Sequence, residues 1–241
     1  MEEKFVVLEN RKLAKDIFEM KLSGNTKALK APGQFINIKL EGFFLRRPIS
    51  VCDWDEKSIT IVYKVVGEGT RFMSELEKGA QLNILSGLGN GFDVEKCGES
   101  PVLVGGGVGI PPVYGLAKAL VKSGRKPQVV MGFNSAENVF YEKEFKALGI
   151  EPVIMTVDGS FGKKGLVTDG MKGLSCDYVC ACGPEPMLKA VSELACDGQF
   201  SFEARMACGF GACMGCSCET KYGYKRICKD GPVLFKEEIK W

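Results

Sequence analysis

Pro101-Val-Leu-Val-Gly-Gly-Gly-Val-Gly-Ile-Pro-Pro112 is the stretch on which the fold turns. Pro101–Val104 is a compact apolar strand. Gly105, Gly106, Gly107 and Gly109 then shape a tight turn, and Pro111 and Pro112 open a helix that runs to Val121. Proline suits the first helical turn, where its missing N–H deprives the helix of nothing. A strand that ends in glycines and enters a helix lets a dinucleotide phosphate approach the backbone at the helix's positive end. No glycine occupies the third place of the strict G-x-G-x-x-G fingerprint, so the turn alone also reads as a close strand-to-helix connection.

Working outward, the downstream sequence alternates. Gln128–Gly132, Pro152–Val157 and Tyr178–Ala181 read as strands. Tyr141–Leu148, Leu166–Met171 and Met187–Leu194 read as helices. Strands alternating with helices predict a parallel α/β sheet, here over residues 99–200. Upstream, residues 1–98 hold short apolar runs separated by turn residues: Lys4–Asn10, Ile17–Leu22, Gln34–Leu40, Ile49–Asp53, Ser58–Val66 and Gln81–Ser86. That spacing predicts a small antiparallel β-barrel. One helix interrupts it, with Thr70 as N-cap, Arg71–Lys78 as body and Gly79 as stop. Residues 201–241 form a separate tail.

Composition narrows the chemistry. The chain has 241 residues, a net charge of +2 and no histidine. Without histidine it can build no Ser-His-Asp triad, no Cys-His pair and no Rieske centre, so a cofactor is expected to carry any catalysis. The near-neutral charge points to neither nucleic acid nor a membrane surface. The opening Met1–Asn10 shows no basic-then-apolar signal, and eleven cysteines without one lead to the expectation of a reducing cytoplasm.

The tail holds the most specific pattern. Cys208, Cys213, Cys216 and Cys228 are spaced C-x4-C-x2-C-x11-C. The first three cysteines match the plant-type [2Fe–2S] spacing. Gly209, Gly211 and Gly215 lie between them and are expected to supply positive-φ positions and amides aimed at sulfur. Structural zinc usually uses paired knuckles, and only Cys213 and Cys216 form one. A thiol sensor built on Cys208–Cys218 is a third reading. Cys218 is an extra cysteine too close to Cys216 for both to ligate one centre easily.

Three weaker motifs precede the tail. Arg46-Arg-Pro-Ile-Ser50 can grip a pyrophosphate through arginine, or can be a solvated turn. Gly67-Glu-Gly-Thr70 leads into a helix and suits a phosphate, or is simply a capped helix start. Cys182-Gly-Pro-Glu-Pro-Met187 follows the last predicted strand at its C-terminal end, where α/β sheets bind ligands. Its thiol can touch a nicotinamide, or be a buried structural cysteine.

Taken in order, Arg-Pro-x-Ser, Gly-x-Gly-Thr, Gly-Gly-Gly-x-Gly and Cys-Gly-Pro-x-Pro-Met resemble the ferredoxin reductase-type flavoprotein family. With Leu45–Ser50, Gly89–Phe92, Glu203–Cys208 and the cysteine tail, the chain resembles the electron-transfer subunits of heterotetrameric dihydroorotate dehydrogenase over essentially its whole length. The resemblance implies an FAD-binding barrel, an NAD-binding α/β domain and a C-terminal [2Fe–2S] module. It implies that Arg47, Pro48, Ile49 and Ser50 contact FAD, with Arg47 on the pyrophosphate and Ser50 near the isoalloxazine. Val62, Tyr63 and Lys64 would line the flavin, and Gly69 and Thr70 would hold its phosphate. Gly105, Gly106, Gly107 and Gly109 would face NAD(H), together with Cys182, Gly183, Pro184 and Met187. Cys208, Cys213, Cys216 and Cys228 would hold the cluster. The implied activity is electron transfer between NADH and an FMN-containing dihydroorotate dehydrogenase catalytic subunit, two of each chain per assembly. Reductase subunits of ferredoxin:NADP, sulfide dehydrogenase and hydrogenase systems share this layout and stand as the alternative. Gly132–Asn138 contains Glu137 and no arginine, which leans toward NAD.

Overall fold

The structure is a computed structural model and describes residues 2–241. All six upstream strands form: β1 (Glu2–Ala14), β2 (Ile17–Ser23), β3 (Phe35–Lys39), β4 (Arg47–Trp54), β5 (Ser58–Lys64) and β6 (Gln81–Leu88). They close into a barrel in the order β1-β2-β5-β4-β3-β6. The pleat sends alternate residues inward, so Ile36, Ile38, Ile59, Ile61 and Tyr63 meet Phe5, Val7, Met20 and Leu22 in the barrel core. Closure leaves no unpaired strand edge.

Helix α1 (Glu68–Ser74) starts earlier than the sequence suggested, because Gly67 rather than Thr70 takes the N-cap place. The Thr70 Oγ1 accepts the N–H groups of Val66 at 2.9 Å and Gly67 at 3.2 Å. Threonine therefore closes this turn from inside the helix instead of preceding it.

The second body follows as β7 (Val102–Gly106), α2 (Ile110–Lys122), β8 (Gln128–Phe133), α3 (Glu142–Ala147), β9 (Val153–Thr156), β10 (Lys163–Lys164), α4 (Val167–Gly170), β11 (Tyr178–Cys182), α5 (Glu185–Leu194) and β12 (Asp197–Ser201). The tail adds the hairpin β13 (Ser217–Thr220) and β14 (Gly223–Arg226), then β15 (Val233–Phe235). The main sheet runs β10-β9-β8-β7-β11-β12-β15. Its ladders are parallel except the last, where Gln199 to Ser201 pair antiparallel with Phe235 to Val233. Neither β12 nor β15 was among the predicted strands. The first reads Asp-Gly-Gln-Phe-Ser and carries little apolar signal; the second is three residues long and gains its partner only after the tail has looped back.

Packing joins the three parts. On one sheet face Leu103, Ile110, Leu116, Leu120 and Phe145 share a core with the barrel residues Ile17, Cys52 and Val62. On the other, Val104, Val130, Leu188 and Phe200 share a core with Cys216, Ile227 and Cys228 of the tail and Phe35 of the barrel. Each fully buried aliphatic or aromatic side chain contributes about 1.5–3 kcal/mol, so these shared cores hold the parts in fixed register. No helix among the described residues is long and apolar enough to cross a membrane.

Candidate functional site

The glycine turn after β7 and the loop after β11 lie against each other. A Cβ on Gly106 would stand 2.5 Å from the Met187 sulfur, and one on Gly109 would stand 2.1 Å from the Cys182 carbonyl oxygen. These contacts are the local reason for glycine there: any side chain would push the two loops apart. In front of them opens a cleft of about 470 Å³ lined by Gly106, Gly107, Pro184, Met187, Lys64 and Glu203, among others. It lies outside the carboxyl ends of β7, β8 and β11, the ligand position of open α/β sheets.

Gly105, Gly109, Cys182 and Gly183 support this cleft from behind and do not line it. The Cys182 side chain is 2% exposed. Burial, with the nearby Glu203 carboxylate, pushes its thiol up to about 12. It stays a neutral thiol at physiological pH and serves as an apolar backing. Glu203, absent from the sequence-based candidates, stands on the cleft wall. It is open to solvent yet hemmed in by protein, and that desolvation raises its carboxyl above the ordinary value. It opens the Glu203–Cys208 segment of the resemblance but carries no site role there, because its place in the cleft depends on the unforeseen strand β12. Asn134, just after β8 in the Gly132–Asn138 segment read above for its nucleotide preference, and Thr168 of α4 also line the cleft.

On the barrel, Arg47 and Gly69 come together as the motifs suggested. A Cβ on Gly69 would lie 2.3 Å from the Arg47 Nε, so the guanidinium rests on the bare start of α1. Arg47 also lies 5.0 Å from the centre of the Phe43 ring, a cation–π contact that orients the fork. Arg46, by contrast, serves the barrel by pairing with Glu2 and Asn83. Thr70 offers only its backbone, since its hydroxyl is committed to Val66 and Gly67. Pro48, Ile49 and Ser50 follow Arg47 along β4, partly exposed. On β5, Lys64 reaches the cleft and Val62 lies in the shared core. The Tyr63 ring turns the other way, into the barrel, where its hydroxyl bonds Asn10 Oδ1 at 3.0 Å. Contact with a flavin at Tyr63 is therefore restricted to backbone.

In the tail the four cysteines form two pairs. The Cys208 and Cys213 sulfurs are 3.4 Å apart, and the Cys213 N–H donates to the Cys208 Sγ at 3.4 Å. The Cys228 N–H donates to the Cys216 Sγ at 3.4 Å. The two pairs are near enough that the Cys228 thiol feels both Cys216 and Cys208. Among the described residues no three metal-binding side chains converge on a single ion position. Two pairs suit a two-iron rhomb, which takes two thiolates on each iron, better than one tetrahedral zinc. Burial pushes the Cys208 thiol up, but the amides of Cys213, Phe210 and Ala212 overcome it and bring it down to about 6. Burial and the Cys216 thiol push Cys228 up to about 12.

Gly209 and Gly211 take positive φ, +76° and +88°. Gly215 does not, which corrects the expectation for it. The glycines mainly set the path of the loop, while neighbouring residues supply most of the sulfur-directed amides; Gly211, whose amide faces Cys228, is the exception. Arg226 ties the loop down, donating to the Gly211 carbonyl at 2.7 Å and to Asp230 at 3.1 Å. Cys218 lies on β13 opposite Lys225, outside both thiol pairs.

Comparison with known proteins agrees with this layout. The model of the iron-sulfur cluster binding domain of dihydroorotate dehydrogenase B matches residues 203–240, and that of the oxidoreductase NAD-binding domain matches residues 103–193. A dihydroorotate dehydrogenase B (NAD(+)) electron transfer subunit from Fusobacterium nucleatum is 46% identical, over 97% of this chain and 96% of its own length. The Geobacillus sp. protein of the same name is 43% identical over 99% and 98%. Among solved structures, that of the NADH-dependent reduced ferredoxin-NADP oxidoreductase superposes with a TM-score of 0.88 at 30% identity, over 98% of this chain and 89% of that one. An Amycolatopsis cytochrome P450 reductase shares the fold at a TM-score of 0.71, over 80% of this chain and 65% of its own.

Proposed function

The chain belongs to the electron-transfer subunits of NAD(+)-dependent dihydroorotate dehydrogenase B, and from that membership we propose that it passes electrons between NADH and a catalytic subunit that interconverts dihydroorotate and orotate in pyrimidine biosynthesis. When bound, FAD and a [2Fe–2S] cluster supply the conversion between two-electron hydride chemistry and single-electron transfer. The pairing of four thiols beside a barrel and a nucleotide cleft in one packed molecule carries this reading.

Each residue then has a task. Arg47 neutralises the flavin pyrophosphate, and Gly69 leaves room for it beside the backbone of α1. Pro48, Ile49 and Ser50 hold the ring along β4, with Val62, Lys64 and the Tyr63 backbone on the neighbouring strand. Gly106 and Gly107 allow the dinucleotide close to the backbone, and Pro184 and Met187 give the nicotinamide an apolar seat that excludes water. Gly105, Gly109, Cys182 and Gly183 keep that seat in place from behind. Cys208, Cys213, Cys216 and Cys228 would hold the cluster, offered as the two thiol pairs Cys208 with Cys213 and Cys216 with Cys228. Hydride transfer between two bound rings needs no side-chain acid or base, which suits a chain without histidine.

We assign the partner as an FMN-containing catalytic subunit, assembled two-and-two into a heterotetramer. Eleven cysteines without a disulfide among them, four of them assigned to the cluster, suit a reducing cytoplasm. The test is anaerobic co-purification of the two subunits. FAD should accompany this chain together with iron and acid-labile sulfide in equal amounts, and the complex should reduce orotate with NADH. Bound zinc in place of iron, or a fully loaded complex inert toward orotate, would reject the assignment. The alternative ferredoxin-type partnership rests on a 30% identical structure, against the 46% identical relative above.

A further inference from the structure

The Gly89-Asn-Gly-Phe92 run follows the last barrel strand, yet Asn90 directs its hydrogen bonds to the tail. Val233 of β15 pairs with Ser201 of β12, and the Pro232 carbonyl accepts the Phe202 N–H at 2.9 Å. Along an antiparallel strand, successive residues point their backbone N–H and C=O groups alternately toward the partner strand and away from it. Val233 therefore turns its own two groups away from β12, as the open edge of a sheet does. Asn90 takes both. Its Nδ2 donates to the Val233 carbonyl at 2.7 Å, and its Oδ1 accepts the Val233 N–H at 3.1 Å. Its backbone N–H donates to the Gly231 carbonyl at 2.7 Å. One side-chain amide thus occupies the place of the next strand.

The run is fastened to the barrel as well. The Gln34 Nε2 donates to the Gly89 carbonyl at 2.9 Å. The Gln34 carbonyl accepts the N–H of Val51 at 2.9 Å, and Val51 follows Ser50 on the proposed flavin strand β4. Gly89 is the point of closest approach: at φ +73°, a Cβ there would stand 2.5 Å from the Pro232 Cδ. On the tail side, the Asp230 carboxylate accepts the Arg226 backbone N–H at 2.9 Å and closes the turn that carries Cys228. We propose that Asn90 is a positioning residue for electron transfer. It holds the turn after the fourth cluster cysteine at one place on the barrel, and so fixes the span between the flavin strand and the cluster loop. An amide matched to both main-chain groups of one residue admits a single register. The apolar contact of Phe35 with the tail core has no such direction. This inference rests on the functional reading above.

The test compares the full chain, loaded with FAD and cluster, as wild type, Asn90→Ala and Gly89→Ala; the first releases the tail and the second presses it away. Hydrogen exchange reads the grip. Stopped flow after NADH addition reads flavin bleaching and cluster reduction separately, and iron and sulfide analysis reads the cluster. In Asn90→Ala the Val233 amide should exchange about tenfold faster, the factor expected when one hydrogen bond is lost. Barrel-core amides should keep wild-type protection. Flavin bleaching should keep its wild-type rate, and iron and sulfide their wild-type content. Cluster reduction should slow about tenfold, since a misplacement of about 1 Å can cost up to about a hundredfold. Gly89→Ala should show the same split; if it does not fold, Asn90→Ala, at an exposed side chain, decides alone. Wild-type exchange at Val233 or wild-type cluster reduction in Asn90→Ala overturns the proposal. So does an equal slowing of bleaching, a loss of iron and sulfide, or failure of that variant to fold, since each assigns Asn90 a merely structural part. A wild-type chain that binds no flavin or contains no labile sulfide overturns instead the functional reading beneath it.

Discussion

Glu203 brings a carboxylate to a cleft lined mainly by glycines and apolar side chains, with Lys64, Asn134 and Thr168 also on its walls. Desolvation raises its folded-state value above the ordinary 4.5. Between those two values the folded chain holds the proton more tightly than the unfolded chain. Stability therefore falls as pH rises through that window, and the loss persists at neutral pH. Glu203→Gln is expected to melt above wild type at neutral pH and level with it below pH 4.5, measured by thermal denaturation of the flavin-loaded protein. A constant difference at all pH values would contradict this. At this scale the cysteines were legible and the glutamate was not. Ligand spacing is a local property of the chain, whereas Glu203 enters the site only because β12 pairs with β11.

The turn between β7 and α2 is an element whose residue types and geometry agree. Its glycines were read as permitting close approach, and the approaching atoms are the Cys182 carbonyl and the Met187 sulfur. Gly109→Ala puts a methyl 2.1 Å from the Cys182 carbonyl oxygen, a backbone atom with little freedom to retreat. Overpacking of this kind costs about 2 kcal/mol. That corresponds to roughly 4–8 °C in Tm for a protein of this size. The Michaelis constant for NADH should rise as well, because the cleft is framed by the loops that must separate; calorimetry and steady-state kinetics check the two effects. The start of α1 was less legible. A threonine before an apolar run signals an N-cap, but Gly67 accommodates the cap conformation and Thr70 bonds back to it. Both arrangements satisfy the same amides, and the sequence pattern does not distinguish them.

At the scale of the molecule, α2 is the spacer between barrel and sheet. Gly115 lets it lie against β4, with a Cβ there 2.6 Å from the Cys52 carbonyl oxygen. Helix propensity alone favours alanine by about 1 kcal/mol. Gly115→Ala is nonetheless expected to displace the barrel from the nucleotide cleft. A shift of about 1 Å in a reacting pair can slow transfer by up to about a hundredfold. Single-turnover flavin bleaching by NADH should therefore slow by at least about tenfold while iron and sulfide content stay unchanged. Bleaching at the wild-type rate would show that α2 does not set the gap.

The sequence by itself determined the barrel, the alternating α/β body, the glycine turns and the quartet of cysteines. All of these rest on periodicity and spacing within a few residues, where backbone sterics and ligand geometry leave few choices. Only the tertiary structure decided how the parts meet. It returned β15 to the sheet, seated Glu203 in the cleft, divided the thiols into two pairs, and placed Asn37 against Cys208, 171 residues away along the chain. Such contacts arise from burial of shared apolar faces, a driving force without direction, and only the folded arrangement of those faces fixes which residues it brings together.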